Sequence, residues 1–345
     1  MIELTETNSS GIAAALVQAR TRAGSPVMGM VLTLVIVVDE DQAPAAMDAA
    51  QAASHEHPAR VLGVILGDGR GTGRIDAQVG TGQGWSGETA LIRLRGEVVR
   101  HAESVVLPLL LPDAPVAVWW PADFPADPAG DPLGALGQRR ITDAAAATRA
   151  RTKAMLTQCA AYAKGNTDLA WTRLTRWRAL LAAALDQHPL KVRSATVTAE
   201  RISPSADLLV AWLHDRLKVT VTRAVSDGPG ITEVVLATDE GDIRISRPSG
   251  GLATFSSPGR PDRPVALPRR SLPELLGEEL RRLDEDEVYA AVARSLVAGG
   301  SGRVARRSVA KRSTAKKRPA SKRSAAKRTT KRATSKRAAA RRKDS

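Results

Sequence analysis

VMGMVLTLVIVV (Val27–Val38) is apolar throughout except for Gly29 and Thr33, and it is rich in β-branched side chains. That composition is the one expected of a strand buried on both faces. At twelve residues it is too short for the ~20 that a membrane-spanning helix needs. DQAPAAMDAAQAASHEH (Asp41–His57) follows, a helical stretch with Asp41 as a plausible cap and Pro44 in its first turn. VLGVIL (Val61–Leu66) then reads as a second buried strand. Strand, helix and strand in about 40 residues make a βαβ unit, so the two strands are expected to be parallel.

Working outward, Ser9 or Ser10 caps a helix over Ile12–Arg20. Beyond Leu66, RIDAQVG and ALIRLRG alternate as half-exposed strands do, HAESVVLPLLL reads as a helix, and VAVWW (Val116–Trp120) as a short strand. Pro and Gly punctuate residues 121–137, which read as a loop. Helices are expected over Asp143–Ala163, Asp168–Gln187 and Ser205–Arg216, and strands in VRSATVTAE, KVTVTRAV, ITEVVLAT and DIRISRP. Ser271-Leu-Pro-Glu274 is a capping box that opens a helix with Leu272, Leu275, Leu276 and Leu280 on one side. A last helix starts at Asp284–Glu287 and ends at Gly299-Gly300. The expected architecture is α/β: an N-terminal α/β domain (1–140), a second α/β domain (141–300), both with mixed sheets, then C-terminal helices and a disordered tail (301–345).

The formal charge of +15 is unevenly distributed. Residues 303–345 hold 19 Lys/Arg against one acid, a net of +18, while the rest of the chain holds 32 bases and 35 acids, a net of −3. A near-neutral body with a basic arm argues for an appended electrostatic element rather than a fold that reads nucleic acid. The arm repeats basic pairs between Ala, Ser and Thr and carries no apolar face, so it is expected to stay unfolded. Cys159 is the single cysteine. An intramolecular disulfide and a thiolate metal cluster are thereby excluded, and a reducing cytoplasm is expected. The N-terminus, MIELTETNSS, is acidic and polar, unlike a signal peptide.

The glycine run Gly67, Gly69, Gly71 and Gly73 follows a buried strand, but it is not G-x-x-x-x-G-K-[ST], and a strand rather than a helix is expected after it. It reads as a hairpin turn. His55 and His57 lack the further ligands of a metal site, and no nucleophile elbow or paired catalytic signature appears. No cofactor, metal or catalytic residue is expected.

Six of the ten aromatic residues are Trp, and two stretches combine Trp with charge. In DLAWTRLTRWRALLAAALDQ (Asp168–Gln187), Trp171, Leu174, Leu181 and Leu185 fall at helical spacing, as a core helix requires. Arg173, Arg176 and Arg178 flank Trp171 and Trp177, and Trp with Arg is the combination enriched at binding hot spots. In VAVWWP, Trp119 and Trp120 must face opposite sides of a strand, so one of them reaches a second core layer or a partner.

SVVLPLLLPDAPVAVWWP (Ser104–Pro121), QRRITDA (Gln138–Ala144), Asp168–Gln187 and RRSLPELLGEELRRLDEDEVYAAV (Arg269–Val292) together resemble the OpcA family, described as glucose-6-phosphate dehydrogenase assembly proteins. The resemblance runs in order over about residues 10–297. It implies a protein without enzymatic activity that binds the dehydrogenase and favours its active oligomer. Contact residues on this reading are Trp119, Trp120, Arg139, Arg140, Asp143, Asp168, Trp171, Arg173, Trp177 and Arg178. Arg173→Ala or Arg178→Ala is expected to weaken activation and spare the melting temperature. Some members of the family are thought to answer thioredoxin through cysteine pairs, which a chain with Cys159 alone cannot do. The tail lies outside the resemblance. Its expected partner is nucleic acid of any sequence, and a nucleic-acid-associated protein is the alternative reading; no membrane is expected.

Overall fold

The computed structural model describes residues 1–23, 29–81, 87–187, 190–300 and 307–308; the expected disordered tail lies outside these apart from that last pair. In chain order the first half runs β1 (Ile2–Leu4), α1 (Ser9–Ala23), β2 (Leu32–Val38), α2 (Ala43–Ser54), β3 (Ala59–Leu66), β4 (Arg74–Thr81), β5 (Glu88–Arg95), α3 (Ala102–Val106), β6 (Val116–Trp119), β7 (Arg139–Thr142), α4 (Arg151–Ala160) and β8 (Asn166–Asp168). The second runs α5 (Leu169–Thr172), α6 (Thr175–Gln187), β9 (Val192–Ala199), α7 (Pro204–Leu217), β10 (Thr220–Val225), β11 (Ile231–Thr238), β12 (Gly241–Ser246), β13 (Leu252–Ser256), β14 (Arg263–Ala266), α8 (Leu272–Arg281), α9 (Glu287–Ser295) and β15 (Arg307–Ser308).

Among the described residues these strands form two mixed sheets. The first has the order β1-β4-β5-β3-β2-β6-β7-β8 and the second β14-β13-β12-β11-β9-β10-β15. The expected βαβ unit is present: β2 and β3 pair in parallel from Leu32 opposite Ala59 to Val38 opposite Ile65. Both strands are almost wholly buried, which is why their sequences show no polar alternation. Below this sheet, α1 and α3 cover one face through Ile12, Leu16 and Val105. On the other face α2 packs with α8, whose Leu275, Leu276 and Leu280 form the buried stripe read from the capping box onward. Trp120 belongs to the first of these layers and Trp119 to the second, so the alternation of the strand sends each indole into its own core.

The glycine run departs from the hairpin expected of it. β5 lies between β3 and β4, so residues 67–73 carry the chain across the end of β5. Gly67 N donates to Leu94 O at 2.9 Å, and Glu97 N to Gly71 O at 3.0 Å. Gly96, at φ +69, lets the crossing chain come this close, since a Cβ there would stand 2.1 Å from Thr72 O.

In the second sheet β9 and β10 are parallel, with α7 as the crossover, and β11 to β14 continue as an antiparallel meander. α9 packs on α7, placing Tyr289, Val292 and Ala293 in the same core as Trp171, Trp177 and the sheet's Val197, Val234 and Ile245. Among the described residues no helix is long and apolar enough to cross a membrane.

Candidate functional site

β7 and β8 end side by side, and their carboxyl ends deliver Thr142, Asp143 and Asp168 to one buried point. Asp168 caps α5, accepting from Ala170 N at 2.8 Å, and also accepts from Thr142 Oγ1 at 2.6 Å and Ala144 N at 3.0 Å. Asp143 receives both arms of Arg173, each at 2.7 Å. The fork locks the turn after α5, which is why the single helix expected over Asp168–Gln187 appears as α5 and α6. Leu169 of α5 faces the first sheet's core and Trp171 the second sheet's, so this one turn of helix ties both layers together.

Further along the seam, Arg139 pairs with Glu279 of α8 and donates to Asp284 O at 2.8 Å. Thr172 Oγ1 donates to the other Glu279 oxygen at 2.6 Å. Trp171 Nε1 donates to Asp286 Oδ2 at 2.7 Å, and the Arg178 guanidinium lies 3.8 Å above the indole. Asp286 in turn caps α9 through Tyr289 N at 2.8 Å. Arg140 stands apart, binding Asn166 Oδ1 at 2.5 Å and Gly137 O at 2.6 Å. Cys159 is buried, and burial first, then Asp168, pushes its thiol up to about 12. A thiol so held is inert.

The structure thus pairs Asp143 directly with Arg173 and sets Asp168 within their electrostatic reach, and joins Arg139, Trp171 and Arg178 to them through Thr172, α5 and α8. Trp119, Trp120 and Arg140 are elsewhere. Eight of the ten residues are at most 8% exposed; Arg173 and Arg178 alone of the set are partly open to solvent. Side chains this deep support the fold and are closed to a partner while it stays intact. Nor does the geometry fit an Arg173→Ala change that spares melting, because Asp143 would be left buried without its counter-charge.

Two carboxyls in one dry pocket have a measurable consequence. Burial, and after it the charge of Asp143, raises the Asp168 carboxyl from 3.8 to about 6. The native state therefore holds this proton more tightly than the unfolded chain. The stability contributed by Asp168 is full below about pH 4 and is lost as pH rises through 6. Carbon-13 NMR of the Asp168 carboxyl should show a midpoint near 6, and the stability advantage of the wild type over Asp168→Asn should shrink from pH 4 to 7. An ordinary midpoint near 3.8 would contradict the arrangement.

On the outer side of the same turn, Arg173 and Trp177 line a cavity of about 320 Å³ at the carboxyl end of β9. Arg151, Arg176, Arg247, Arg269 and Arg270 also line it, as do Ser203 and Ser205 at the start of α7. The strand and its helix were legible in the sequence; the structure adds Ser203 as the cap and Pro204 in the first turn. The convergence of arginines was not legible, because they come from segments up to 119 residues apart, Arg151 to Arg270, and carry no shared local pattern.

Two family models match the chain in succession. The N-terminal domain of the glucose-6-phosphate dehydrogenase subunit matches residues 50–161, and the C-terminal domain of that same subunit matches residues 164–293. No curated protein matches. Two solved structures, one titled trehalose-6-phosphate from E. coli bound with UDP-2-fluoro glucose and the other an apo structure of OtsA, are each 11% identical over 56% and 57% of this chain. The chain spans 64% and 66% of their lengths, just under two thirds, and a TM-score of 0.24 in both cases carries no argument. The two adjoining family models take in β3 through most of α9 and every residue of the seam, leaving out the elements before β3 apart from the end of α2, and β15, and by them the chain belongs to the OpcA family of glucose-6-phosphate dehydrogenase assembly proteins.

Proposed function

We propose that the chain acts without catalysis of its own, binding glucose-6-phosphate dehydrogenase in the cytoplasm and favouring its active oligomer. The observation that carries this reading is the pair of family models named for a subunit of that enzyme. It is supported by a rigid seam in which the charged residues of the matched segments are satisfied by one another rather than held ready for chemistry. A single, buried cysteine suits a reducing compartment. The contact surface is proposed to run where Arg173 and Arg178 reach solvent, with the buried members of the set holding that surface in place. A second function belongs to the tail, whose charge of +18 suits it to bind nucleic acid without regard to sequence.

An assembly protein works by binding the active oligomer more tightly than the inactive form. A tenfold preference, about 1.4 kcal/mol, carries an equal mixture to roughly nine-tenths active. Purified chain at saturation should therefore raise the rate or substrate affinity of the dehydrogenase and shift its oligomeric mass, and show no dehydrogenase activity alone. Unchanged rate, affinity and mass would sink the reading.

A further inference from the structure

The cavity beside Arg173 carries more positive charge than the fold neutralises. Of its six arginines, Arg173 is matched by Asp143 and Arg270 by Glu278, and Arg176 lies 3.7 Å from Glu274 with both side chains half exposed. Among the described residues no carboxylate pairs with Arg151, Arg247 or Arg269, and Glu200 is the one acid in the cavity wall. Most surplus arginines in a protein point into water. Arg247 does not: it is 7% exposed, donates to Leu267 O at 2.9 Å and Ile231 O at 3.2 Å, and lies 4.9 Å from the Trp177 ring. Its Nε is buried without a partner. Carbonyls and an indole satisfy its geometry but leave its charge uncancelled, which is costly in a site screened from water. Burial, and after it Arg269, lowers the Arg247 guanidinium to about 10.

Arg269 is held rather than loose. It donates to Pro229 O, and the backbone of two loops passes close beneath it: a Cβ at Gly250, φ +83, would sit 3.0 Å from its Nε. Two cations thus stand fixed near each other at one wall. The same cavity is lined by the amino end of α7, a helix of 14 residues that leaves β9 in a strand-to-helix turn. Ser203 caps it and Pro204 has no N–H, so Ser205 brings an amide that precedes the first intrahelical bond. Such a turn at the carboxyl end of a strand, with the helix dipole directed outward, favours an anion. Leu174, Ile202, Pro268 and the Trp177 edge supply apolar wall.

We propose that this cavity binds a small phosphate monoester, its phosphate neutralising the Arg247–Arg269 pair at the amino end of α7 and its uncharged part lying against the apolar wall. A phosphate dianion matches guanidinium forks in shape and charge. A volume of about 320 Å³ is at the small end of ligand sites, fitting a phosphorylated sugar or a mononucleotide rather than a dinucleotide.

Isothermal titration of the full chain with hexose 6-phosphate, AMP, inorganic phosphate and unphosphorylated hexose tests this. The expected result is binding of at least one monoester, tighter than inorganic phosphate, and none of the free hexose. Which monoester binds identifies the source of the phosphate. Arg269→Ala and Arg151→Ala should each weaken binding about tenfold or more, as expected when one charged donor to an anion is lost. Arg193→Ala, an exposed pair with Asp239 on the far end of β9, should leave it unchanged. The basic tail is present in every variant, so its own attraction for anions cancels in the comparison. Arg247 is avoided because its loss would disturb the core. The proposal is overturned if no monoester binds at millimolar concentration, or if Arg269→Ala and Arg151→Ala, folded by circular dichroism, bind as well as the parent. It is equally overturned if those variants lose only the dehydrogenase, which would make the cavity a seat for a protein carboxylate.

Discussion

Arg139→Ala should lower the melting temperature by about 10 °C, and the double variant Arg139→Met/Glu279→Leu should recover most of that loss. Both partners of the Arg139–Glu279 pair are almost fully buried, at 4% and 7% side-chain exposure. Removing one partner of such a pair typically costs about 3–5 kcal/mol, because the other charge stays in the interior uncompensated. Each kcal/mol moves the midpoint by roughly 2 °C in a body of this size. Here the arginine also holds Asp284 O, at the bend between α8 and α9. Its loss therefore loosens the bend as well as the pair. Replacing both charges by apolar side chains removes the desolvation cost along with the attraction, which leaves many proteins no less stable. Thermal unfolding of the three proteins decides it. A single variant that melts with the parent would mean that water already reaches the pair. A double variant as unstable as the single would mean that the hydrogen bonds to Asp284 and Thr172, not the charges, matter most. The same measurement bears on function: if Arg139→Ala activates the dehydrogenase poorly only in proportion to its loss of folded protein, the residue supports the contact surface without touching the partner.

What could be read from the sequence, and what could not, follows from the range of the forces involved. β2 and β3 were legible because a strand buried on both faces must be apolar along its whole length, whatever surrounds it. The box Ser271–Glu274 was legible because a helix start satisfies its amides locally. β7 and β8 were missed because their buried residues are polar: Arg139, Arg140, Asn166 and Asp168 look like surface until their distant partners are known. The helix expected over Asp143–Ala163 shrank to Arg151–Ala160 for a related reason. Asp143 is committed to Arg173 across 30 residues, and Ala150 takes a left-handed conformation at φ +45 that stops the helix from reaching back. β13 and β14 were missed because they are short and half exposed, with little pattern to detect. Most of the Trp and Arg residues singled out by their spacing lie inside the fold. Trp171 and Trp177 are buried because both indoles fill the core of the second sheet, and an arginine lies over each ring. Cation–π stacking stabilises an interior as readily as an interface, and sequence spacing alone does not separate the two.

The tail should give the steepest response of any part of the chain, and to salt. Residues 303–345 carry a net charge of +18 with no aromatic side chain. Their charges can neutralise phosphates, but nothing in them can stack on a base or read its edge. Full-length protein should bind duplex DNA of any sequence with equal affinity. If ten phosphates are engaged, log affinity falls against log salt with a slope of about −9, a loss of roughly 10⁵-fold between 50 and 200 mM. Chain ending at residue 302 should lose this binding and still activate the dehydrogenase, since the matched family segments end at residue 293. Activation compared across a salt series, with and without the tail, separates this from an arm that docks on an acidic face of the enzyme and steers association. Salt-sensitive activation that disappears on truncation would establish the steering arm and refute the dispensable one. The two anion sites argued for in this protein should also part on the same axis. A monoester in the cavity meets a few fixed guanidinium groups and one helix end, so its affinity should change far less with salt than that of DNA on the tail. Equal salt slopes for the two ligands would mean that the tail binds both.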